Sequence, residues 1–171
     1  MKAAPLSVTV AATVRGGWLP AARDFRRWAA AALGRRAAGH ELSVLLVGER
    51  RSRALNGRYR GRHRATNVLS FPATAGARAQ GLLGDLVLCP SVLRVEARRQ
   101  RKRVRAHWAH LVVHGVLHLL GYDHEQQTQA ARMERRERQV LRRLGIADPY
   151  RRPPPPVRAV SRTDSAEYAE A

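Results

Sequence analysis

Apolar positions along the first 150 residues recur with two different periods. Residues 6–14 alternate and are rich in β-branched types, which predicts a strand. Pro20 opens a helix running to about Leu33, with Phe25, Trp28, Ala29, Ala32 and Leu33 as its apolar stripe. A basic loop over 34–40 leads to a buried strand over 42–47, followed by a short, strongly charged helix over 49–59. Further strands are expected over 67–71 and 82–88, separated by a Gly/Ala loop over 73–80. Pro90 and Ser91 start a helix to Arg99, and an apolar helix spans about 104–120. The last helix, about 125–144, carries Met133, Val140, Leu141 and Leu144 as its stripe and ends at Gly145. Three or four strands interleaved with helices, without a regular βα repeat, predict an α+β domain.

Composition changes the picture at the C-terminal end. Pro153 to Pro156 are followed by small and charged residues without periodicity, so 1–150 is expected to be the domain and 151–171 a disordered tail. No run of 18 apolar residues appears, so no membrane span is expected. The start lacks a signal peptide's apolar stretch. The single cysteine, Cys89, excludes an intrachain disulfide and suits a reducing, cytoplasmic location. Net charge is +19. A solvated basic surface is the plain reading, yet the excess in one small domain points to polyanion partners. A membrane surface fits less well, because no basic amphipathic helix with an aromatic face stands out.

The chemistry concentrates in residues 114–124, His-Gly-Val-Leu-His-Leu-Leu-Gly-Tyr-Asp-His. His114 and His118, four apart, fall on one helix face about 40° from one another. Gly121 accepts the left-handed conformation that ends helices, so the chain can turn there and bring His124 to the same point. Three histidines and a water form the open set of a catalytic zinc, whereas structural zinc takes four protein ligands. A divalent ion held by His114, His118 and His124 is therefore expected, zinc first and other imidazole-binding ions such as nickel next. The stretch approaches the long zinc-peptidase signature His-Glu-x-x-His-x-x-Gly-x-x-His, but the peptidase's general base is replaced by Gly115. That weakens a peptidase reading.

The same stretch resembles the signature of the YbeY family, bacterial metal-dependent endoribonucleases of ribosomal RNA maturation and ribosome quality control. Leu55-Asn56, Tyr59-Arg60-Gly61, the run Thr66-Asn67-Val68-Leu69-Ser70-Phe71-Pro72, Leu83-Gly84-Asp85-Leu86-Val87-Leu88, Met133-Glu134 and Leu144-Gly145 extend the resemblance in family order over about 40–150. It implies a small mixed sheet with packed helices and the metal in a cleft. It also implies RNA as substrate, specifically single-stranded precursors at the 3′ end of small-subunit ribosomal RNA. The ribosomal small subunit and assembly factors would be its partners, and DNA would not. Arg60 falls on the family's arginine position and is the candidate ligand for a phosphate or the transition state. Where the family commonly has Asp and Pro, this chain has His63 and Ala65, which puts in doubt an acidic role there. Asp85 is expected to orient a ligand histidine rather than to react directly. His107 and His110 are expected to pack or meet solvent.

Three neutral imidazoles leave a divalent ion at full charge, able to acidify water and polarise a phosphoryl oxygen. With Arg60 added, such a site favours a phosphodiester anion over a neutral peptide. Asp123, His63 and metal hydroxide all remain candidates for general base, and the attacking group can be water or the RNA's own 2′-hydroxyl. Two rivals stand beside the nuclease reading. One is a metallohydrolase of peptides or other esters. The other is a non-catalytic RNA-binding assembly factor with a structural metal.

Overall fold

A computed structural model describes residues 4–122 and 126–151. Four strands and six helices follow in the order β1 (Ser7–Ala12), α1 (Ala22–Leu33), β2 (Glu41–Leu46), α2 (Glu49–Arg60), β3 (Val68–Pro72), α3 (Ala75–Ala79), β4 (Leu82–Leu88), α4 (Pro90–Arg99), α5 (Val104–Leu119) and α6 (Gln127–Arg143). The strands form one sheet in the order β1-β2-β4-β3. β1, β2 and β4 run parallel, and β3 pairs antiparallel to β4 at the edge. The fold is the mixed α+β type expected from the interleaved strands.

The two faces of the sheet differ in depth. Leu42, Val44 and Leu46 alternate with exposed or half-exposed neighbours on β2 and join Leu86 and Leu88 on one face. This face buries α1 and α5, whose Phe25, Trp28 and Trp108 meet edge to face at centroid distances of 5.9 and 5.8 Å. Such contacts add about 0.5–1.5 kcal/mol each beyond the area they bury. The opposite face carries a smaller cluster, Val47, Leu69 and Val87, with Leu45, Leu55 and Phe71 packed around it.

Two polar residues of α2 serve the fold. Ser52 Oγ donates to the Thr66 carbonyl at 2.9 Å and accepts from the Thr66 N–H at the same distance. Asn56 Nδ2 donates to the Arg64 carbonyl at 2.8 Å. Both side chains are buried, so the basic loop after α2 is held by bonds that water cannot replace. Asn67 Nδ2 donates to Glu96 Oε2 at 2.8 Å, which ties the start of β3 to α4.

Several boundaries differ from expectation. The 73–80 loop contains the short helix α3, because Thr74 Oγ1 accepts from the Ala77 N–H and starts a turn that loop composition hides. Gly34–Arg36 forms a 3₁₀ turn within the expected basic loop. α1 begins two residues beyond Pro20, where the Asp24 carboxylate accepts from the Ala21 N–H and caps it. Among the described residues no helix is long and apolar enough to cross a membrane. The expected tail, apart from Arg151, lies outside the described residues.

Candidate metal centre

α5 is buried along nearly its whole length, and His114 and His118 are among its few partly exposed positions. Their Nε2 atoms lie 3.2 Å apart. Two nitrogens on one tetrahedral zinc sit about 3.3 Å apart, given Zn–N bonds of roughly 2.0–2.1 Å. α5 ends as expected: Gly121 takes φ +89°, its N–H reaches the His118 carbonyl at 2.9 Å, and Tyr122 N–H reaches Leu117 at 3.0 Å. This is the paired closure that favours glycine after a helix. Arg78 of α3 donates to the Leu119 carbonyl at 3.2 Å and satisfies one more terminal acceptor. His124, the expected third ligand, and Asp123 lie outside the described residues.

Gly115 has its own physical reason. A Cβ built there would lie 2.7 Å from Leu86 Cδ2 and 3.2 Å from Ser70 Oγ. Ser70 Oγ also donates to the Gly115 carbonyl at 3.3 Å. The helix therefore touches the sheet at the position where the peptidase signature has its glutamate. No acid side chain fits between them.

A carboxylate that the sequence reading did not single out organises the ligand helix. Glu137 of α6 has no exposed surface. It accepts from His114 Nδ1 at 2.7 Å, from His110 Nε2 at 3.0 Å, and from the Tyr150 hydroxyl. Burial by itself would raise its pKa, but the bonds from His110 and His114 outweigh burial and bring it to about 2. Being ionised, it only accepts, so His114 carries a proton on Nδ1, and its Nε2 faces His118. That tautomer is the one a metal requires at Nε2. Burial also lowers the pKa of His110, with its Glu137 bond opposing. Tyr150 is pushed well above the usual phenol range, first by burial and then by the Glu137 carboxylate.

His110, His114 and Glu137 each offer a ligand atom, all within 4.8 Å, so this group is also able to hold a metal ion. A cavity of about 300 Å³ between α5 and α6 is lined by His114, Met133, Glu134, Glu137 and Tyr150. His107, one helical turn earlier, is buried and bonds Glu96 Oε2 at 3.1 Å.

The other expected site residues separate. Asp85 is exposed on β4, and its neighbour Leu86 is the residue against α5, so Asp85 faces away from the histidines. The structure does not bring it to them, and Glu137 occupies the orienting role expected of it. Arg60 is exposed at the last turn of α2. His63 folds back on α2, its Nδ1 3.1 Å from the Cβ position of Gly57. One signal for Glu137 was present: it follows Met133 by four residues, so a charge stands inside the apolar stripe of α6. Tyr150 gave no comparable signal, because its place depends on the turn after α6.

Comparison with known proteins supplies the last observation. The family model Endoribonuclease YbeY matches residues 20–145. An Endoribonuclease YbeY of Stenotrophomonas maltophilia (strain R551-3) is 48% identical over 151 residues, covering 85% of this chain and 93% of that protein. One of Halorhodospira halophila is 49% identical over 141 residues, covering 80% and 92%. A solution structure from Thermotoga maritima has the same fold at TM-score 0.52 and 22% identity, covering 85% of this chain and 99% of that one. With the family model spanning most of the domain and relatives near half identical over most of both chains, this chain belongs to the YbeY endoribonuclease family.

Proposed function

We propose that this protein is a metal-dependent endoribonuclease that cuts single-stranded ribosomal RNA precursors at the 3′ end of small-subunit RNA and acts in ribosome quality control. The observation that carries the reading is the pair of Nε2 atoms 3.2 Å apart, with the other nitrogen of His114 held by a buried, ionised carboxylate. His114, His118 and His124 would hold the ion, and their nitrogen donors favour zinc. A divalent ion bound there supplies Lewis-acid chemistry toward a phosphoryl oxygen and makes water acidic near neutral pH.

The chain's own groups do the rest. Glu137 remains an acceptor throughout the neutral range and keeps the His114 imidazole in one tautomer and orientation. Its three donors leave it no role as a proton shuttle. Arg60 is exposed and available to a substrate phosphate, where a bidentate guanidinium holds two oxygens at once. Residues 1–150 carry the activity and 151–171 are dispensable for it. The workplace is the cytoplasm, with the small subunit and its assembly factors as partners. The peptidase reading loses ground because the site of its glutamate is a helix–sheet contact. The assembly-factor reading is separated by turnover.

The test is cleavage of a small-subunit RNA precursor by metal-loaded, chelated and His114→Ala protein. His114→Ala should lose cleavage and lower metal content, while Arg60→Ala should keep metal and circular dichroism and lose most cleavage. Equal cutting by His114→Ala and the parent would assign the activity to another protein and leave the RNA-binding reading.

A further inference from the structure

Tyr150 lines two cavities. On one side its hydroxyl bonds Glu137 beside His114. On the other lies a cavity of about 410 Å³ whose wall carries Arg99, Arg101, Lys102 and Arg151, with Pro149 and Tyr150 beside them. Four cations thus converge on one hollow from two separate stretches of chain. Arg99 has an ordinary explanation, since a cation at a helix C-terminus offsets the dipole. Lys102 has one too, since Asp148 and Glu96 face it, but neither explanation reaches Arg101 or Arg151.

The backbone makes the arrangement more pointed. α4 closes with Arg101 N–H to the Arg98 carbonyl at 3.1 Å and Lys102 N–H to Ala97 at 2.8 Å. This puts Arg101 at the position where helices favour glycine, and its φ is +52°, the one positive value on a non-glycine among the described residues. An L-residue there is strained, because its Cβ crowds the following carbonyl oxygen. Strain kept on a charged side chain at the rim of a cavity is a reason to look for a ligand. Asp148 and Glu96 both face Lys102 and offset its charge, while each also has other partners. Asp148 bonds Arg138 and the Tyr150 N–H, and Glu96 bonds His107 and Asn67. The hollow keeps a net positive charge.

We infer that this cavity is a phosphate subsite for the RNA strand, holding a backbone phosphate away from the bond that is cut. The inference rests on the ribonuclease reading for the identity of the strand. Tyr150 gives the link, because it lines both this hollow and the cavity at His114. A phosphodiester suits the hollow because each guanidinium can engage two oxygens.

The experiment uses full-length, metal-loaded protein and a labelled oligouridylate of about 12 nucleotides, long enough to span more than one phosphate contact. Affinity is measured against salt for Arg99→Gln/Arg101→Gly/Arg151→Gln. A charge-matched control, Arg26→Gln/Arg35→Gln/Arg36→Gln, removes exposed arginines elsewhere. The cavity variant should weaken binding about tenfold and reduce the salt slope by roughly 2, with the control close to the parent. Arg101→Gly alone should melt at the same temperature or higher yet bind RNA more weakly, which a purely structural arginine would not do. Equal losses in the cavity and control variants would mean a general field and overturn the subsite. Unchanged affinity and slope in the cavity variant would overturn it too. Cleavage by the parent is scored separately against His114→Ala. A parent that binds through the cavity but does not cut removes the ribonuclease reading and leaves the subsite.

Discussion

Two carboxylates, one on the sheet and one on α6, have opposite fates. Asp85 sits on β4 between apolar residues and is exposed, while Glu137 sits on a mostly charged helix and is fully enclosed. Linear context would have ranked them the other way. What separates them is which face each neighbour takes. Asp85 points to the shallow side with Val87, whereas Glu137 points into the seam where α6 meets α5. A carboxylate between two imidazoles and a phenol is stabilised as an anion, and that is what makes its burial tolerable.

The largest effect should come from the deep face. Gly115→Glu would restore the peptidase pattern but push a charge between α5 and Leu86. A loss of about 4 kcal/mol or more is expected from overpacking and a buried unpaired acid. Denaturant unfolding checks this, and a variant as stable as the parent would mean that the helix and sheet can part there at little expense. Next in size, Glu137→Gln should weaken metal binding about 10–100-fold, the usual range for losing a partner of a ligand histidine. Asp85→Asn, on the other face, should leave metal affinity unchanged. Chelator competition on both variants tests the contrast, and equal losses would dissolve it.

The smallest effect concerns acid. Burial raises the pKa of Glu96, but the bonds from His107 and Asn67 outweigh it and place it below its ordinary 4.5. A carboxyl depressed in the folded state stabilises the protein above its unfolded pKa. That contribution is lost as pH falls from about 4.5 through the folded value. Glu96→Gln should therefore flatten the acid limb of the stability curve below about pH 4.5, by at most about 1 kcal/mol for a partly exposed group. Melting at stepped pH measures it, and an unchanged limb would remove Glu96 from the account.

Much of this molecule could be read from its residues. Alternation in β2 and the apolar length of α5 follow from local pattern, and Gly121 announced both the end of the helix and its geometry. The spacing of His114 and His118 foretold that their nitrogens meet. What could not be read depends on contacts between distant stretches. Nothing local says that Asn56 holds the Arg64 carbonyl, that Gly115 is the contact with Leu86, or that Tyr150 returns to Glu137. α3 was hidden for a different reason: five residues of Gly, Ala and Arg carry no periodicity, and a single threonine cap decides the turn.

The order of elements also bears on how the site comes into being. The sheet is finished at Leu88, while His110, His114, His118, Glu137 and Tyr150 all lie between residues 110 and 150. On the ribosome the scaffold can therefore pair its strands before any part of the metal centre has emerged. The ligand helix then docks on a surface already formed, and His114 gains its orienting carboxylate only when α6 arrives. Tyr150 follows last. A metal that binds only the completed arrangement adds stability by mass action, about 2.7 kcal/mol when present at a hundred times its dissociation constant. It would act after the strands have paired, so metal supply should govern how long the finished protein survives rather than how fast its sheet forms.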